Sequence, residues 1–256
     1  MSRKIRLIAR LDVKDDFLVK GIQYEGLRKL GDPHDFARRY YEQGIDEILY
    51  LDTVASLYER NNLGNILERT TADVFIPITA GGGLRSVQDV GAVLKSGADK
   101  AAVNTAALRR PALITEIARA FGSQCMVLSI QAKRRDPARP AAGWEAYYDN
   151  GREHSGKDVL EWAKEAVSLG AGEILLSSVD KEGFQKGMDQ ELIAAVADLV
   201  DVPVIAAGGA ACAEDVAAAA KGGADAVAVG SILHYGKTDV PALKEEVRAL
   251  GVEVRR

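Results

Sequence analysis

Cysteine is scarce in this chain. Cys125 and Cys212 are the only two in 256 residues, too few for a disulfide framework, and both read as buried thiols. The three histidines, His34, His154 and His234, are scattered without metal-ligand spacing. The longest apolar runs are strand-sized and broken by charge, so none predicts a membrane span. Met-Ser-Arg-Lys leads straight into a strand with no apolar signal region, which predicts a cytosolic protein. Neither sign of charge dominates: 33 basic and 37 acidic residues leave a net charge of −4, with no basic stripe to favour nucleic acid. What remains is a chain with 47% hydrophobic residues, long enough for a substantial core.

What the sequence does contain is a repeat. Residues 76–105 read IPITAGGGLRSVQDVGAVLKSGADKAAVNT, and residues 202–231 read VPVIAAGGAACAEDVAAAAKGGADAVAVGS. The offset is a constant 126 residues, from Pro77 to Pro203, Gly82 to Gly208 and Asp99 to Asp225, and 13 of the 30 positions are identical without a gap. Chance likeness between two Ala/Gly-rich segments does not account for register kept at proline, glycine and charged positions. Each copy reads as strand, Gly-Gly turn, helix, Gly-Ala-Asp and strand, which is a βαβ unit.

The rest of the chain continues the alternation. Strands are expected at 6–13, 45–52, 74–80, 100–104, 125–131, 173–180, 204–207 and 226–230. Helices are expected between them, including one from Asp32-Pro33, one over 58–72, one from Ser86 with Asp89, one over 157–169 and a last one over 240–250. Lys20 falls in a loop after the first strand. An insertion at 134–151 ends in the hairpin-like WEAYYDNG. Short continuous apolar strands fit a parallel sheet buried on both faces. Eight βα units in about 250 residues predict a single (β/α)₈ TIM barrel, made of half-barrels at approximately 1–123 and 124–256. A doubly wound open sheet is the alternative, and repetition as complete four-strand blocks favours the closed ring.

In such a barrel, chemistry sits at the C-terminal ends of the strands. That position selects Asp12, Asp52, the turn at Gly82 and Gly83, Asn104 and Thr105, Gln131, the stretch from Ser177 to Glu182, Gly208 and Gly209, and Gly230 and Ser231. Glycine turns ahead of helices present bare backbone N–H groups to anions. Two such cradles in one mouth predict a ligand with a phosphate at each end. Alignment of the first and fifth strands sets Asp12 opposite Gln131. An amide orients a substrate but relays no proton. At the other end, Arg6, Glu47, Lys100 and Glu173 begin strands one, two, four and six. They form either a closed ring of ion pairs or four ordinary rim charges of little individual worth.

Taken together, LDVKDDFLVKG, ITAGGGLRS, ADKAAVNTAA, FGSQCMVLSIQAKRR, LGAGEILLSSVDKEG, VPVIAAGGA and GGADAVAVGSILHYG resemble the cyclase subunit of imidazole glycerol phosphate synthase over nearly the whole chain. The resemblance implies a two-half (β/α)₈ barrel of histidine biosynthesis. A glutaminase docked on the bottom face would supply ammonia. The substrate would be a ribulosyl-formimino carboxamide ribonucleotide with two phosphates, and no metal or organic cofactor would be needed. By position, Asp12 matches the catalytic aspartate and Lys20 the loop lysine that reaches substrate. Asp52, Ser177 and Asp180 match polar residues of the mouth, and Gly83, Asn104, Thr105, Gly209, Gly230 and Ser231 match the phosphate cradles. Arg6, Glu47, Lys100 and Glu173 match the ammonia gate, and Asp99 a residue facing the glutaminase.

Three departures stand out. Gln131 occupies the place of a second catalytic aspartate, Glu182 the place of an aspartate, and Arg10 the usual place of a cysteine. The insertion with Pro137 and Pro140 is longer than the family norm. Three readings follow: a working cyclase, a paralogue passing ammonia to another acceptor such as a surface sugar, or a non-catalytic barrel that activates a glutaminase.

Overall fold

The computed structural model describes residues 4–55 and 63–255. Its strands are β1 (Arg6–Lys14), β2 (Phe17–Ile22), β3 (Glu25–Gly31), β4 (Glu47–Asp52), β5 (Ile78–Gly81), β6 (Lys100–Val103), β7 (Met126–Arg134), β8 (Trp144–Tyr148), β9 (Glu153–Asp158), β10 (Glu173–Ser178), β11 (Val204–Ala207) and β12 (Ala226–Val229). Eight of them pair in parallel in the order β10-β11-β12-β1-β4-β5-β6-β7, and β7 pairs back to β10. The sheet is a closed barrel with helices between its strands, a (β/α)₈ TIM barrel and not an open sheet.

Side chains alternate along each barrel strand. Leu7, Ala9, Leu11 and Val13 enter the outer core beneath the helices. Ile8 packs inside the barrel with Leu49, Ala102, Val127, Leu175, Ile205 and Ala228. That period of two places Arg6 at the bottom of the interior, with Arg10 and Asp12 at its top.

Local chemistry fixes the helix starts. Asp32 accepts from His34 N–H ahead of the Pro33–Glu42 helix, with Pro33 in its first turn. Ser86 and Asp89 form a reciprocal capping box at Val87–Lys95. The helix expected over 58–72 is described over Leu63–Thr70 and ends two residues early, and its expected start lies outside the described residues. The helix expected from Lys157 begins at Val159, because Asp158 caps it and Lys157 belongs to β9. The repeated Gly-Ala-Asp also has a structural reason. Asp99 accepts from Ile78 N–H at 2.8 Å, and Asp225 from Val204 N–H at 2.8 Å, each tying its strand to the preceding one.

One expectation is corrected. Lys20 does not lie in a loop: β1 continues into an antiparallel hairpin, β2–β3, with Lys20 paired opposite Arg28. The insertion after β7 builds a second hairpin, β8–β9, turning at Asp149, Asn150 and Gly151, all at positive φ. The two hairpins follow β1 and β7, and each reaches across the mouth. Gln23 N–H donates to Glu182 O at 3.0 Å, while the Asn150 side chain donates to Thr53 O. Among the described residues no helix is long and apolar enough to cross a membrane.

Candidate active site

The bottom of the barrel holds four charges in a closed ring. Arg6 donates from Nη1 to Glu47 at 2.8 Å and from Nη2 to Glu173 at 2.5 Å. Lys100 contacts Glu173 at 2.7 Å and Glu47 at 3.5 Å. Arg6, Glu47 and Glu173 are buried, so the ring is part of the interior and not a solvated rim. Lys100 is its most exposed member. Apolar side chains fill the interior above it.

At the top lies a second buried cluster. Arg10 donates from Nε to Asp12 at 2.8 Å and from Nη1 to Glu182 at 2.9 Å. Lys20, brought in by β2, donates to Asp12 at 2.7 Å and to Glu182. Burial opposes ionisation of Asp12 and Glu182, but Arg10 and Lys20 outweigh it and hold both carboxyls below their usual range. The same pairing keeps Arg10 and Lys20 protonated against burial. Two cations and two anions therefore balance almost wholly out of contact with solvent. The Arg10 guanidinium stands over the Tyr24 ring, 5.3 Å from its centroid.

Gln131 takes no part in this cluster. Its carbonyl accepts from Gly151 N–H at 2.9 Å and its amide donates to Asn150 Oδ1 at 3.3 Å, so it grips the tip of the β8–β9 hairpin.

The two glycine turns open at the same end of the barrel, at the ends of β5 and β11. Gly82 has φ +100° and Gly208 φ +95°. A β-carbon on Gly82 would stand 2.2 Å from Asp52 O, and one on Gly208 2.6 Å from Ser178 O. Only glycine fits either place. Gly82 and Gly83 line a cavity of about 310 Å³ with Asp52, Asn104, Thr105, Ser129 and Gln131. Gly208, Gly209, Gly230 and Ser231 line one of about 20 Å³ with Arg10, Lys20 and Glu182.

The remaining expected residues divide. Asp52 faces the large cavity; burial raises its carboxyl, while Val54 and Ala55 N–H groups donate to it at 3.0 and 2.9 Å. Ser177 is buried opposite Gln131 in the β7–β10 register. Asp180 is engaged elsewhere, accepting from Arg134 N–H at 2.8 Å, and lines neither cavity. Asn104 donates to Tyr147 O at 3.1 Å, and Thr105 to Asp149 at 3.3 Å, so the β8–β9 hairpin rests on the first cradle.

Sequence reasoning missed Tyr24, Asn150 and His234. His234 bridges Tyr40 Oη at 2.8 Å and Arg10 O at 3.0 Å behind the second cradle. Burial, with Lys20 nearby, lowers its pKa to about 4, so the ring is neutral. The signal available was position: His234 follows Gly230-Ser231 by three residues, where Leu108 follows Asn104-Thr105.

Fold and site define a class: a (β/α)₈ barrel whose catalytic end carries paired glycine turns around a buried charged cluster. The sequence profile of the histidine biosynthesis protein family matches residues 6–239. The chain is 49% identical to the imidazole glycerol phosphate synthase subunit HisF of Myxococcus xanthus over 251 residues, 98% of this chain and 97% of the relative. It is 57% identical to that of Legionella pneumophila over 205 residues, 80% of this chain and 95% of the relative. With that of Mycobacteroides abscessus it shares 47% over 257 residues and the whole of both chains. The protein belongs to the HisF family of imidazole glycerol phosphate synthase subunits.

Proposed function

We propose that this chain is an ammonia-dependent cyclase that closes the imidazole ring of a bis-phosphate ribulosyl-formimino carboxamide ribonucleotide. The products would be imidazole glycerol phosphate and aminoimidazole carboxamide ribotide, made in the cytosol with ammonia from a partner glutaminase. The observation that carries the reading is a pair of glycine cradles at one end of the barrel, the second lined by Arg10 and Lys20 that hold Asp12, with a ring of buried charges at the opposite end.

Each part has a task. The two cradles, one in each half of the chain, hold the substrate's phosphates and fix its reactive middle over the mouth. Glutaminase docks on the N-terminal face beside Asp99 and Lys100. Ammonia passes the Arg6–Glu47–Lys100–Glu173 ring and then the apolar interior. Lys100, the most exposed member with the longest contact of the ring, is the one that yields. Asp12 is held ionised and acts first as an acceptor of protons from the attacking ammonia. Lys20 orients the substrate, and Asp52, with its raised carboxyl, is the residue of the large cavity suited to give a proton back.

Gln131 favours a second reading, in which ammonia is delivered to a different acceptor, because its amide is committed to the hairpin and transfers no proton. Consumption of the bis-phosphate nucleotide with ammonium salts separates the two. Turnover by the isolated barrel supports the cyclase. No turnover, with glutaminase stimulation intact in the complex, rejects it.

A further inference from the structure

The second cradle already has an occupant. Glu182 Oε2 lies 3.5 Å from where a β-carbon of Gly208 would stand, and the same oxygen accepts from Arg10 Nη1 at 2.9 Å. The other carboxylate oxygen is held by Lys20. The remaining space, about 20 Å³, is on the scale of a single water and too small for a phosphate.

Arg10 is built for a larger anion than it holds. Asp12 takes its Nε, which leaves the Nη1–Nη2 edge as the free fork of the guanidinium. Nη1 binds Glu182, and Nη2 is buried with no partner at hydrogen-bond distance, its nearest polar neighbour being the hydroxyl of Tyr24, which interacts with the guanidinium more weakly than a carboxylate does. A buried donor left unmade is costly, and a fork of this shape matches two oxygens of a phosphate. Charge gives the second half of the argument. Arg10 and Lys20 are balanced by Asp12 and Glu182, so a phosphate dianion entering with both carboxylates in place would leave two negative charges uncompensated in a dry site. Withdrawal of Glu182 removes one of those charges and frees one contact on each cation, while Asp12 keeps the other.

The geometry points to Arg10 as a phosphate ligand of the second cradle, with Glu182 as an internal carboxylate that fills the site until a phosphate displaces it. The inference rests on the two-phosphate reading proposed above. It makes occupation of the two cradles unequal: the first, whose glycine turn faces a cavity of about 310 Å³, takes its phosphate without displacing a carboxylate held by two cations, and the second takes its phosphate only after the exchange.

Orthophosphate titration of the ¹⁵N-labelled protein, followed at the amides of Gly82 and Gly83 for one cradle and of Gly208, Gly209 and Gly230 for the other, tests this. In the wild type the first cradle saturates at lower phosphate. Glu182→Gln tightens the second cradle by about tenfold or more, because a self-occupied site weakens apparent affinity by the fraction of time it is open, and leaves the first unchanged. The charge-balanced double variant Arg10→Met with Glu182→Gln returns the second cradle at least about tenfold toward weaker binding, the loss expected for a charged fork. Thermal melting of each variant confirms that it is folded. An unchanged second cradle in Glu182→Gln, or a double variant that binds as tightly as Glu182→Gln, overturns the inference while responses at the first cradle leave the two-phosphate reading standing. Silence at both cradles in every protein sinks that reading and this inference with it.

Discussion

Gly82 and Gly208 sit in equivalent turns 126 residues apart, each pressed against the carbonyl of a strand end, Asp52 or Ser178, that is itself 126 residues from the other. In front of the first is a cavity of about 310 Å³; in front of the second, about 20 Å³. Backbone chemistry is shared by the two halves, and the side chains that project between the cradles account for the contrast. Where Ser129 faces the large cavity, its partner by strand alignment, Arg10, fills the small one. Where Gln131 holds a hairpin tip, Asp12 sits between two cations. Repeated backbone can therefore present two anion sites while single residues give each half a different task.

The sharpest way to break the comparison is to make the halves alike at the proton-transferring position. Asp12→Asn puts an amide at both partners, and ammonium-dependent turnover falls by about 10²–10⁴-fold, the usual contribution of a positioned acid or base. The same substitution leaves Arg10 and Lys20 with one carboxylate, so steady-state kinetics are read alongside a melting curve. A residual rate within about tenfold of the wild type would remove Asp12 from the chemistry.

The next largest effect lies behind the second cradle. His234 is held neutral in the folded protein with a pKa of about 4, lowered from 6.5. The unfolded chain therefore binds the extra proton first, and stability is fully present above pH 6.5 and is lost as pH falls toward 4. The loss is on the order of 3 kcal/mol from this group alone. His234→Leu copies the residue at the equivalent place in the first half, Leu108. It costs stability at neutral pH by removing the donor to Arg10 O and leaving Tyr40 Oη with Arg39 alone, but its urea midpoint changes less between pH 6.5 and 4.5 than that of the wild type. Equal slopes in the two proteins would contradict the assignment.

Gly82→Ala and Gly208→Ala sharpen what the halves share. Each β-carbon meets a backbone carbonyl at positive φ, and each substitution costs about 1–3 kcal/mol. The closer approach, 2.2 Å against 2.6 Å, makes Gly82→Ala the more damaging by thermal melting.

Much of this was legible in the sequence because a barrel is a periodic object. The 126-residue register located the glycine turns, the polar strand ends and the closure into eight strands. Strand-end position also located Asp12 and the four bottom charges. The contents of the mouth were not legible in the same way. That Lys20 comes in on a hairpin, that Asp180 is used by Arg134 N–H, and that Arg10 shares Glu182 with Lys20 all depend on contacts between residues up to 172 positions apart. Periodicity carries no information about such contacts. His234 was overlooked because a lone histidine after a glycine turn resembles any core residue until its two hydrogen-bond partners are seen.

The smallest effect concerns Gln131, and it separates a structural amide from a chemical one. Gly151 N–H is shared between Gln131 Oε1 at 2.9 Å and Tyr148 O at 3.0 Å, and Gln131 also donates to Asn150. Gln131→Ala removes both contacts, about 1 kcal/mol each. Hydrogen exchange across residues 149–152 should accelerate by roughly tenfold, while β2–β3, whose tip is tied to Glu182 O, keeps its protection. Gln131→Glu retains the acceptor for Gly151 and loses the donor, so its exchange falls between the two. If exchange at 149–152 does not respond to either change, the hairpin is held by Asn150 on Thr53 O and by Asn104 on Tyr147 O alone, and the Gln131 amide becomes free to meet the substrate.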